Sequence, residues 1–92
     1  MNLRKEARER YCQIRIPGVC NHNRETTVLC HLNGGGTGMK HDDKLGAWGC
    51  SSCHDMVDGR VSWPELDDKT LRLYLYEGVF RTQQQLIKEG KL

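Results

Sequence analysis

The stretch Cys50-Ser51-Ser52-Cys53 constrains this chain more than any other. A C-x-x-C at the entry to a helix aims two sulfurs at one tetrahedral ion, each about 2.3 Å from the metal. Such a site needs a second pair of ligands, and Cys12 and Cys20, on either side of the Pro17-Gly18 turn, can supply it. Cys30 is then the odd thiol, and an odd count suits four ligands plus one better than a disulfide framework. With only 37% of the 92 residues apolar and 7% aromatic, the chain needs help beyond a small hydrophobic core. One structural zinc on Cys12, Cys20, Cys50 and Cys53 is therefore expected. A redox C-x-x-C and buried inert thiols are the competing readings, although the pattern that flanks a thioredoxin-like motif is missing here.

No run of residues approaches the roughly 20 apolar positions of a membrane span. The opening MNLRKEARERYC is charged where a signal peptide needs an apolar centre. The expectation is a cytoplasmic protein, a single domain over residues 1–92, in a compartment where disulfides are rare. The net charge is only +2, but Arg4, Lys5, Arg8 and Arg10 stand against Glu6 and Glu9 in the first ten residues. This basic arm, together with Lys40, is the candidate contact for a polyanion such as DNA; a solvated helix face is the plain alternative.

Residues 2–10 have strong helix formers and no Gly or Pro, and read as a short basic helix or arm. Cys12 and Cys20 flank a small knuckle. Thr27 to Leu32 is a β-prone run that ends in a glycine-rich loop, and Leu45 to Gly49 reads as a second short strand. Cys50 to Gly59 reads as a helix capped by Ser51 or Ser52 and stopped by Gly59. Ser62-Trp63-Pro64-Glu65 matches a capping box, with Leu71, Leu75 and Val79 at helical spacing behind it; Gly78 weakens that helix, and Thr82-x-x-Gln85 opens a short final one. Trp48, Trp63, Tyr74 and Phe80 are expected in the core.

His54 follows the C-x-x-C directly, and Asp58, four residues on, shares its helix face. His31 lies on the first β-prone run. A strand with a histidine, a loop, a second strand, and a helix headed by C-x-x-C-H together resemble the ββα-metal, or HNH, finger of endonucleases. The fuller string, Cys12-Gln13-Ile14-Arg15-Ile16-Pro17-Gly18-Val19-Cys20-Asn21, then Cys50 to Asp55, Glu77-Gly78 and Arg81-Thr82-Gln83, is similar over nearly the whole length to the YbcO family of small prophage nucleases. That family is similar in turn to the Ref-type, RecA-dependent phage nuclease.

The resemblance implies an α+β fold, a zinc knuckle plus an HNH-like finger with C-terminal helices, and a DNA endonuclease activity. It implies that His31 is the general base, that His54 holds a second, catalytic divalent metal (magnesium, manganese or zinc), and that Asp43 is the nearest candidate for the middle residue that orients the base. It also implies DNA as substrate and a recombinase filament as a partner. The chain departs from the HNH pattern at Cys30, where the usual residue is a metal-ligating Asp or His; a soft sulfur suits magnesium poorly. Either the metal is zinc-like, or Asp58, Asp42 or Asp43 substitutes. His54 as a fourth ligand of the structural zinc is a further alternative. The rival to an enzyme is a non-catalytic zinc-finger module that binds DNA or a recombination protein.

Overall fold

The computed structural model describes residues 2–31, 42–61 and 63–92. The glycine-rich loop with Lys40 and His41, and the Ser62 of the expected capping box, lie outside the described residues. Helix α1 (Leu3–Glu6) is capped by Asn2, whose side-chain oxygen accepts from the Arg4 and Lys5 backbone N–H groups. Strand β1 (Val28–Cys30) pairs antiparallel with β2 (Ala47–Gly49), with Leu29 opposite Trp48 and Cys30 opposite Ala47. Helix α2 is Ser51–Val57 and α3 is Asp68–Lys88. The architecture is a small α+β fold, a hairpin followed by helices.

The helix expected over residues 2–10 is cut to one turn because Ala7 is buried and Glu9 adopts a positive φ of 61°. Arg10 then turns inward. Its guanidinium makes two hydrogen bonds to Glu89, at 2.6 and 2.7 Å, and lies 4.5 Å from the centre of the Trp48 ring. Lys91 reaches Glu6 at 2.6 Å, so the two ends of the chain are tied by four charges. The fork geometry of the Arg10–Glu89 pair makes it stronger than an isolated surface pair.

The C-terminal third is one helix of 21 residues, where the sequence reading expected two. Its N-cap is Asp67, which accepts from the Thr70 N–H, in place of the expected box at Ser62. Gly78 does not break it. A Cβ built there would stand 3.1 Å from Ile14, 3.2 Å from the Ala47 Cβ and 3.2 Å from the Gln13 carbonyl, so the glycine is where α3 presses against β2 and the knuckle. Thr82 is buried inside the same helix, and its hydroxyl accepts the Trp48 backbone N–H at 3.0 Å. The Trp48 carbonyl accepts from the Gln13 N–H at 2.6 Å. The outer edge of β2 is thus covered on both of its free groups, which a two-stranded hairpin needs if it is not to recruit another strand.

Two apolar clusters result. One holds Ile14, Ile16, Cys30, Ala47, Met56, Leu75 and Val79 around the cysteines; the other holds Ala7, Leu29, Trp48 and Leu86. Trp48 is buried as expected, and Trp63 and Tyr74 pack partly against the first cluster. Phe80 is 65% exposed, contrary to expectation, because the helix turns its other face to the sheet.

Thr82→Val keeps the volume and removes the acceptor, leaving the Trp48 N–H buried and unpaired. Urea denaturation should show a loss of about 1–3 kcal/mol, and a variant as stable as wild type would show that this bond does not hold β2 to α3.

Candidate functional site

The four expected cysteines converge. The sulfurs of Cys12, Cys20, Cys50 and Cys53 all lie within 4.8 Å of one another, with Cys20 and Cys50 at 3.9 Å. A tetrahedral zinc with bonds of about 2.3 Å places its sulfurs about 3.8 Å apart, so the spacing suits that ion. Among the described residues this is the one group of three or more His, Cys, Asp or Glu side chains that draws together so. Cys50 forms the N-cap of α2, where a serine was expected, and its sulfur accepts the Cys53 N–H at 3.4 Å and the Asn21 N–H at 3.5 Å. The Cys12 sulfur accepts from Arg15 N at 3.4 Å, a bond made possible by the positive φ of 56° at Arg15. Backbone donors aimed at sulfur are what thiolate ligands require for orientation.

The electrostatics of the group point the same way. The Cys53 thiol donates to Cys12 and holds it far below the ordinary thiol range, at about 4. The same sharing pushes Cys53 strongly up, and burial raises Cys20 to about 11. Four thiols this close cannot all ionise unaided, because each thiolate raises the cost of the next. A divalent cation removes that obstacle, so the donor set fits zinc. Cys30 stands outside the group; it is fully buried beside Gly49, and burial pushes its thiol up. His54 does not enter the group either, since its Nε2 contacts Asp58 Oδ2 at 3.0 Å.

The side-chain amide of Asn21 stands within hydrogen-bond reach of Ser51, Ser52 and Thr26 while its backbone N–H serves Cys50. The signal was available in the Asn21-x-Asn23 pair, because Asx turns at both positions fold this segment back onto α2.

At the other end of the hairpin, His31 directly follows β1 and Asp43 begins the short 3-10 turn (Asp43–Leu45) that leads into β2. Antiparallel pairing brings them face to face, with His31 Nε2 2.5 Å from Asp43 Oδ1. Asp43 Oδ2 also stands 3.6 Å from Arg4 Nε. The His31 contact, with Arg4 behind it, holds the Asp43 carboxyl below its usual range. A cleft lined by Asn2, Arg4, Asp42, Asp43 and Lys44 opens beside the pair. Of the basic arm, Arg4, Lys5 and Arg8 are exposed, whereas Arg10 is engaged by Glu89. His54 and Asp58 form a second pair on α2, with Arg60 3.9 Å from Asp58. The sequence-predicted site residues thus fall into a cysteine group and two His–Asp pairs.

A family model described as "Putative nuclease YbcO" matches residues 1–91. The chain belongs to the YbcO family. Its YbcO relatives from Escherichia coli K12 and from Enterobacteria phage 82 are each 46% identical over 92 residues, covering 97% of this chain and 94% of theirs. A solved structure, of "a putative bacteriophage protein from Escherichia coli str. K-12 substr. MG1655", superposes with a TM-score of 0.83 at 42% identity, covering 97% of this chain and all of that one. Membership extends over the cysteine group, the hairpin and α3 together. No helix among the described residues is long and apolar enough to cross a membrane.

Structural zinc sites contribute on the order of 10 kcal/mol of apparent binding free energy to folding. Elemental analysis should find at least one zinc per chain, and chelation should abolish the cooperative thermal transition. Cys50→Ala should lose the metal while Cys30→Ser keeps it; a chelated protein with an unchanged midpoint would refute the site.

Proposed function

We propose that residues 1–92 act as a single HNH-like nuclease domain that hydrolyses phosphodiester bonds in DNA, with β1, β2 and α2 as its ββα-metal finger. The observation that carries this reading is the His31–Asp43 contact across the mouth of the hairpin, in a chain whose relatives from Escherichia coli and phage 82 each bear the name "Putative nuclease". His31 is the general base. With its Nε2 hydrogen donated to Asp43, its Nδ1 carries the free lone pair, so Asp43 sets the tautomer and the ring orientation. His31 Nδ1 takes the proton of a water whose oxygen attacks phosphorus, while the bond to the leaving sugar oxygen breaks.

His54 Nε2 and Asp58 Oδ2 would hold the catalytic divalent metal. Their 3.0 Å separation equals that of adjacent ligands on an octahedral ion with bonds of about 2.1 Å. Such an ion supplies charge stabilisation at the phosphate. Arg4, Lys5 and Arg8, on the arm that reaches Asp43, would steer the DNA backbone toward the cleft, and Lys40, outside the described residues, would add a further phosphate contact. The resemblance to the Ref-type nuclease makes a RecA-like recombinase filament the partner to include in any assay.

His31→Ala should lower metal-dependent cleavage about a hundred- to ten-thousand-fold with fold and structural zinc unchanged, and His54→Ala should lose both cleavage and the second metal. Gel assays on single-stranded, double-stranded and filament-coated DNA measure this. Wild-type protein that cleaves none of them, or His31→Ala that cleaves at the wild-type rate, overturns the nuclease reading in favour of a DNA-binding zinc module.

A further inference from the structure

Helix α3 carries apolar residues on two faces. Leu75, Val79 and Leu86 face the core, whereas Leu73, Tyr76, Phe80 and Ile87 are 57%, 45%, 65% and 60% exposed. At 100° per residue these four fall within about 60° of one another, on the side away from the sheet. Single exposed apolar residues are ordinary, but an aligned stripe is a contact surface. The spacing is that of a heptad seam: Leu73, Phe80 and Ile87 take the a positions, and Tyr76 and Gln83 the d positions.

The flanking charges select the occupant. In this register Arg72 is a g residue and Glu77 an e residue. When two such helices run parallel, each g residue meets the e residue five positions on in the other helix, so Arg72 of one copy stands beside Glu77 of the other, twice by symmetry. Glu77 keeps its own helix neighbour, Arg81, at 3.0 Å and has a second oxygen for the incoming guanidinium. An antiparallel pair centred on Phe80 would instead face g with g and e with e, setting Arg72 against Leu86 and Glu77 against Gln84, so the charge pair would be lost. We propose that the Leu73–Tyr76–Phe80–Ile87 seam docks a second copy of this chain, α3 against α3 in parallel, as a two-fold dimer. Gln83, at a d position, donates to the Lys44 carbonyl at 2.7 Å, so the body of each protomer borders the seam there, and the contact centres on Leu73, Tyr76 and Phe80. The seam is only about 21 Å long, which makes the dimer concentration-dependent rather than obligate.

Sedimentation equilibrium of the full zinc-loaded chain, from micromolar to millimolar, should show a monomer–dimer equilibrium. Phe80→Glu, at an exposed position, should keep the helical circular dichroism and zinc content and raise the dimer dissociation constant at least about tenfold. Arg72→Glu and Glu77→Arg should each weaken the dimer, and the double variant should restore it. A wild type that stays monomeric over the whole range, a dimer indifferent to Phe80→Glu, or a double variant as weak as the single ones would each overturn the proposal. None of these readings depends on cleavage.

Discussion

Four sulfurs meeting at one point is the constraint on which the rest depends. Cys12 and Cys20 lie on a knuckle near the start of the chain, and Cys50 and Cys53 on the first turn of α2. Four thiolates at this spacing would repel, so the group fits a cation, and a cation there would close a long loop much as a disulfide would. The knuckle it anchors carries Ile14 and Ile16 into the core and lets Gln13 cap the Trp48 carbonyl. Through that contact the cysteine group, the hairpin edge and the Gly78 approach of α3 become one arrangement.

The hairpin separates two kinds of chemistry. Cys50 follows β2 at one end, while His31 and Asp43 flank the other end. Three residue pairs of antiparallel ladder span about 10 Å, so the soft sulfur ligands and the His–Asp pair stay apart. The His54–Asp58 pair, proposed to hold the catalytic metal, stands instead on α2 directly after Cys53. Cys30 shows the division within one strand: its side chain is buried, and the next residue, His31, reaches the cleft side.

Helix α3 shows how one element can be read wrongly from local signals. Gly78 looks like a weak point and Thr82 like a cap when only neighbouring residues are considered. Both are helix-interior positions chosen by the partner surface. Glycine admits Ile14 and Ala47, and threonine lends its hydroxyl to β2. Propensity costs of about 1 kcal/mol for a glycine in a helix are small against a buried donor left unpaired or a sheet held away from its helix.

The sequence by itself determined the four-cysteine group, the two strands, the α2 helix with its Gly59 stop, and the kinship to the YbcO family, because each rests on residues close together or on a spacing that few other structures use. The resemblance also named Asp43 as the candidate to orient His31. Only the tertiary structure decided that these two touch, that Arg10 locks the chain ends instead of lying on the surface, that α3 is one helix, and that Phe80 faces outward. Each of those outcomes depends on which surface a residue meets across the fold, and a linear pattern carries periodicity but not the identity of the partner. The helical period marks two apolar faces on α3 equally well; the hairpin, by packing against Gly78 and Thr82, settled which of them became the core.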